Sequence, residues 1–138
     1  MIEVSNLVKK YGEFTAIDNI SFVAPKGSIV GLLGPNGAGK STTMKILSCF
    51  MPASSGTAKV AGFDVFDDPM EVKKRVGYLP ETPPLYPEMR IGEYLKYVAA
   101  LKKIERSKIT DRVDYVASRC GLTQSMGKVI GTLSKGFK

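Results

Sequence analysis

Histidine is absent from the 138 residues, and cysteine occurs only twice. Without an imidazole, this chain cannot supply a Ser-His-Asp or Cys-His nucleophile system, an HExxH zinc site or a histidine general base. Cys49 and Cys120 are too few for a disulfide scaffold or a four-thiolate metal site, and both are expected to be buried thiols. No run approaches the ~18 consecutive apolar residues of a membrane-spanning helix. The first residues, Met1-Ile2-Glu3-Val4-Ser5, lack the basic and apolar regions of a signal peptide, so a cytosolic chain is expected. What is present fits one globular domain with a core: 43% of residues are hydrophobic and 24% charged. A disordered tail, a collagen-like repeat and a coiled coil are thereby excluded.

The net charge of +7 is unevenly placed. Residues 1–69 carry six Lys/Arg against six Asp/Glu, whereas residues 70–138 carry fourteen against seven. A basic half points either to nucleic acid or a membrane surface, or to a solvated helical face. No aromatics interleave with the basic residues as a stacking platform for bases requires, so direct nucleic-acid binding is not expected.

The first ~80 residues read as rich in strands. Residues 2–8 and 14–23 alternate loosely and flank Gly12-Glu13, which reads as a hairpin turn. The apolar run 28–33, without alternation, predicts a strand covered on both faces. Residues 57–61 and 75–79 predict two more strands, with a short helix near 70–74 that opens on Pro69. A glycine-rich loop, 34–39, leads into a helix from Lys40 to about Phe50. After the proline-rich stretch 80–87 the period changes to helical. Ile91, Tyr94, Leu95, Val98 and Leu101 form one stripe; Ile109, Val113, Val116 and Cys120 form a second, closed by Gly121 as a C-cap.

The loop Gly34-Pro35-Asn36-Gly37-Ala38-Gly39-Lys40-Ser41 fits G-x-x-x-x-G-K-[ST]. Its chemistry is that of a phosphate cradle. Glycines let backbone N–H groups approach phosphate oxygens, and the helix that follows adds unpaired N–H groups and its positive dipole end. Lys40 supplies a full charge to the β- and γ-phosphates. Ser41 offers a hydroxyl to Mg²⁺, and Thr42 is placed to hold the α-phosphate. The N-K-x-D base-reading motif of GTPase switches does not occur.

Five segments, in order, make the whole chain resemble the ATP-binding subunit of ABC transporters, in the export-type (ABC-2-like) branch. They are Tyr11-Gly12 with Ala16–Phe22, the loop Gly34–Ser41, Pro52–Thr57, Val76-Gly77-Tyr78-Leu79-Pro80-Glu81, and Leu133-Ser134-Lys135-Gly136-Phe137. The last is similar to the signature usually written LSGGQ, with Lys135 and Phe137 departing from it. The resemblance implies an α/β fold: a P-loop NTPase core, an N-terminal antiparallel β subdomain and an α-helical subdomain, truncated after the signature motif. Its expected parts are 1–88 (β subdomain and core up to the Q-loop), 89–132 (helical subdomain) and 133–138 (start of the signature).

The resemblance also implies roles. Tyr11 stacks on adenine, and Gly34, Pro35, Asn36, Gly37, Ala38, Gly39, Lys40, Ser41 and Thr42 hold the phosphates. Ser134 and Gly136 contact ATP bound to the opposite subunit. Glu81 stands where the family has glutamine and joins Ser41 as a metal ligand and Lys40 as a catalytic group. ATP and Mg²⁺ are the implied cofactors. The implied partners are a second ATP-binding subunit, head to tail, and a transmembrane permease that places the protein on the inner face of the membrane. The family's later elements, an apolar strand ending in Asp-Glu and a switch histidine, are not found in these residues. The chain is thus expected to bind nucleotide without turnover as written. A soluble ABC ATPase acting on the ribosome or nucleic acid is the alternative.

Overall fold

A computed structural model describes residues 1–134 and 136. Ile2–Tyr11 forms β1 and Phe14–Ala24 forms β2, joined by the two-residue turn Gly12-Glu13 with Tyr11 opposite Phe14. Ser55–Val60 is β3 and Phe63–Asp64 is β4. All neighbours are antiparallel, in the order β2-β1-β3-β4.

The central strand is irregular. Its register slips between Val4 and Leu7 against β2 and between Ser5 and Val8 against β3. Asn6 lies at both slips with φ 50°, and its side-chain amide donates to Asn19 Oδ1 at 2.9 Å, Asn19 itself having φ 49°. Asparagine tolerates the left-handed region, so these are built-in bulges that add twist. Opposite Asn6, Gly56 has φ +81°, and an ideal Cβ there falls 2.2 Å from Asn6 O. No other residue lets β1 and β3 approach so closely.

Helix α1, Lys40–Leu47, and helix α2, Pro69–Arg75, cover one face of this sheet. Leu7, Ile46 and Val72 are fully buried there, with Val4, Ile17, Leu47, Ala58 and Val60 beside them. Each of these side chains larger than Ala58 contributes on the order of 1.5–3 kcal/mol through burial. Just past the C-cap Ser48, Cys49 with a φ of 56° turns the chain away from α1. Cys49 is half-buried and Cys120 exposed, so the expectation of two buried thiols is corrected for Cys120. Burial still pushes the Cys49 thiol above its ordinary value, which makes it a poor nucleophile.

Two expected strands do not form. Residues 28–33 and 75–79 carry no strand pairing, although Arg75 closes α2. Ile29 and Leu33 are 103% and 92% exposed, and Leu79 is 83% exposed. The reason is physical: a strand exists through its neighbour's N–H and C=O groups, and among the described residues no strand is paired to either segment. The described sheet is therefore wholly antiparallel.

The chain divides into two compact units, Met1–Tyr78 and Leu79–Lys138. The division falls just before the proline-rich loop. Backbone bonds from Gly131 N to Pro87 O (2.7 Å) and Ile130 N to Met89 O (2.9 Å) tie that loop to the second unit. Here α3, Ile91–Leu101, and α4, Ile109–Arg119, pack side by side. Glu93 Oε2 accepts from Arg90 N at 3.1 Å and so caps the start of α3. Gly121, with φ +66°, ends α4 as expected. The buried positions of α4 are Val113 and Ala117, while Val116 is 39% and Tyr115 58% exposed. The inner face is thus rotated from the expected Ile109–Cys120 stripe toward a small residue, Ala117, which lets α3 approach.

Candidate functional site

The glycine-rich loop lies in the first unit, where β2 and α1 position it. Gly39 is the N-cap of α1 at φ 81°, and no side chain caps this helix end. An ideal Cβ on Gly39 falls 2.4 Å from Ala16 O, so the loop can press against β2 only because residue 39 has no side chain. Thr43, almost wholly buried, donates from Oγ1 to Gly39 O at 3.0 Å, while Thr43 N donates to the same oxygen at 2.8 Å. The loop's last residue is thereby fixed from both sides.

Lys40 opens the helix and turns back over the loop. Its Nζ donates to Gly34 O and Pro35 O, each at 2.7 Å. An ammonium has three N–H donors, so one remains for a phosphate oxygen without disturbing the loop. Ser41 is exposed and Thr42 half-buried, both in the first turn of α1. Their backbone N–H groups are among those a helix leaves unpaired at its start. Positive charge, unpaired N–H groups and a hydroxyl thus meet in one place, the donor set a Mg²⁺-bound polyphosphate requires. The expected phosphate residues Gly34 to Thr42 are therefore contiguous, and this unit brings them together.

Tyr11 ends β1 in the same unit and is 46% exposed. Its phenol donates to Met51 Sδ at 3.2 Å. Lys9 Nζ lies over the Tyr11 ring, 5.2 Å from its centroid, and donates to Pro52 O at 2.8 Å. Neither Lys9 nor Met51 was expected at the site. Lys9 had a signal, since residues two apart on a strand share a face. Met51 had none, because forty residues separate it from Tyr11.

The other expected residues lie in the second unit. Glu81 is exposed near the start of the proline-rich loop; Ser134 and Gly136 are exposed near the chain's end. Lys135 and Phe137 of the signature-like segment lie outside the described residues. Among the described residues, no group of three or more Cys, Asp or Glu could hold a metal by itself. A groove of about 550 Å³ is lined by Leu95, Val98 and Val113 and by the charged residues Lys102, Glu105, Lys108 and Arg112, of which Lys108 is paired to Glu105. No helix is long and apolar enough to cross a membrane among the described residues.

A glycine loop that closes on its own lysine at a helix N-terminus defines a P-loop nucleotide-binding unit. Residues 17–138 match the family model described as ABC transporter, and the chain belongs to that family. It is 35% identical over 138 residues to the Linearmycin resistance ATP-binding protein LnrL of Bacillus subtilis (strain 168), covering all of this chain and 44% of that protein. It is 31% identical over its full length to the probable multidrug ABC transporter ATP-binding protein YbhF of Escherichia coli (strain K12), covering 24% of it. Among solved structures, an ATP-binding subunit of an ABC transporter matches with a TM-score of 0.85 and 29% identity, over 99% of this chain and 57% of that one. A nucleotide-free ATP-binding cassette from an ABC transporter matches with a TM-score of 0.78 and 25% identity, over 99% and 60%. The chain therefore spans about half or less of the proteins LnrL and YbhF. The fold is that of ABC nucleotide-binding domains, P-loop NTPases of α/β class, as the resemblance implied.

Proposed function

We propose that the intact protein binds Mg-ATP at the Gly34–Thr42 loop, hydrolyses it, and couples this to transport by a partner permease. The observation that carries the reading is Lys40, held across its own loop at the N-terminus of α1. Bound Mg-ATP supplies the phosphoanhydride to be cleaved and the metal that neutralises its oxygens. Lys40 and the loop N–H groups bind and orient the phosphates, Ser41 presents its hydroxyl to the metal, and Tyr11 offers a ring to adenine. Glu81 would help to hold the metal and to orient the attacking water. A carboxylate there adds negative charge that an amide would not.

Ser134 and Gly136 complete the nucleotide site of a second, head-to-tail copy. In support, the ATP-binding cassette matched by fold at 23% identity and a TM-score of 0.83 is described as a dimer bound to ADP and Pi. The permease docks on the second unit. Its α3–α4 groove, apolar along Leu95, Val98 and Val113, is of a kind that takes the apolar face of an amphipathic helix. On this reading the protein sits on the inner face of the membrane through its partner. Export of a small toxic molecule is the cargo class in keeping with the names of LnrL and YbhF.

On this reading these 138 residues alone bind nucleotide and do not turn it over, since no Asp-Glu pair at the end of an apolar strand occurs in them to activate water. A phosphate-release assay on this chain is expected to stay at background while titration with Mg-ATP gives saturable binding. Sustained release of many phosphates per chain contradicts this. In the intact protein, Glu81→Ala is expected to lower turnover about 10-fold or more while ATP affinity changes less than about 3-fold. An equal fall in both would place Glu81 in ground-state binding instead. Action on the ribosome or nucleic acid is the second reading, favoured by the basic second half of the chain. Salt-dependent RNA or DNA binding without permease co-purification would select it.

A further inference from the structure

Two residues hold the Tyr11 ring, and both contacts lead to the same short segment. The Tyr11 phenol donates to Met51 Sδ, and the ammonium over the ring, Lys9, donates to Pro52 O. Met51 and Pro52 follow closely on the C-terminal end of α1, the helix whose N-terminal end carries Lys40. Helix α1 has eight residues, a rod of about 12 Å. The base platform and the phosphate cradle are thus referenced to the two ends of one rigid element. The end of the hairpin is further tied to the same segment by Ser54, whose N donates to Val8 O (2.8 Å) and whose Oγ accepts from Lys10 N (2.9 Å).

We propose that Lys9 and Met51 are positioning residues for the nucleotide base. Met51 fixes the in-plane direction of the Tyr11 ring through its sulfur. Lys9 covers one face with a tethered cation, so that a purine stacks on the other. A cation against one face of a phenol ring is attracted by the ring's quadrupole and holds the ring where it is. Without the two contacts, Tyr11 regains its side-chain rotamers, and stacking must then order it at a cost in affinity. The inference rests on the reading of Tyr11 as the base platform and adds what orients it.

The test is a set of binding titrations in the intact protein, with Mg-ATP and with Mg²⁺ and inorganic tripolyphosphate, which has no base. Met51→Leu keeps the volume and removes the acceptor; Tyr11→Phe keeps the ring and removes the donor. Each is expected to weaken ATP binding about 2- to 3-fold, and the double variant no more than either single one, because both remove the same bond. Lys9→Ala is expected to weaken it about 3-fold, and Lys9→Arg to stay near wild type since a cation and a donor are kept. Tripolyphosphate affinity is unchanged in all of them, which separates positioning of the base from general damage to the fold. If Tyr11→Ala weakens ATP while Met51→Leu and Lys9→Ala leave it at the wild-type value, the positioning roles are wrong. If Tyr11→Ala itself leaves ATP affinity unchanged, the base platform reading fails as well.

Discussion

Replacement of Lys40 by alanine is expected to lower the affinity for Mg-ATP by about 100-fold or more, through loss of a charge-assisted bond in a preorganised cradle. The side chain has two tasks in this structure. It closes the loop through Gly34 O and Pro35 O, and it keeps an ammonium at the N-terminal end of α1. Lys40→Arg is expected to fall nearly as far, because a planar guanidinium cannot bridge the same two carbonyls from the same stem. Lys40→Met keeps much of the stem and loses the charge, so it separates packing from electrostatics. The melting temperature is expected to move little in all three, since Lys40 lies outside the buried cluster around Leu7, Ile46 and Val72. Titration calorimetry beside thermal melts checks both halves. ATP binding of wild-type strength by the alanine variant would remove the phosphate loop from the account.

The second large effect falls on the fold that carries the loop. Gly56→Ala is expected to destabilise the protein by about 3 kcal/mol or more. Two costs combine there: a φ of +81° that side-chain-bearing residues rarely adopt, and a Cβ placed 2.2 Å from Asn6 O. The obstacle is backbone, so it cannot swing away; β1 and β3 must part. Gly62 supplies the control, with φ +86° and open space around its Cβ position. Gly62→Ala is expected to cost only about 1 kcal/mol, the strain alone. Urea denaturation of the two variants reads the difference as the contribution of the close approach at Asn6. Equal losses would show that backbone conformation, and not contact, sets the role of Gly56.

The phosphate loop was legible in the sequence because its chemistry is local. Eight consecutive residues carry the glycines, the lysine and the hydroxyl, and a helix start is itself a short-range signal. The Gly12-Glu13 turn, the Pro69 helix start and the Gly121 cap were legible for the same reason. The run 28–33 was not, since its apolar composition records an appetite for neighbours and says nothing of whether they are present. Ile29 and Leu33 make the point: they are as apolar as any core strand and stand exposed. The partners of Tyr11 were hidden for another reason. Met51 and Pro52 reach it only because α1 returns the chain to the end of the β1–β2 hairpin, and no local period encodes that return. The rotation of α4 toward Ala117 was hidden too, since a stripe of larger apolar residues outweighs one alanine in any reading by pattern.

One triphosphate is expected to lie on the Gly34–Thr42 loop under the charge of Lys40. A crystal structure of the intact protein with Mg²⁺ and a non-hydrolysable ATP analogue tests it most directly. The account predicts phosphate oxygens within hydrogen-bond distance of Lys40 Nζ and of the first-turn N–H groups of α1, with Ser41 Oγ on the metal and the base against Tyr11. An analogue bound elsewhere, with Lys40 touching only Gly34 O and Pro35 O, would contradict it.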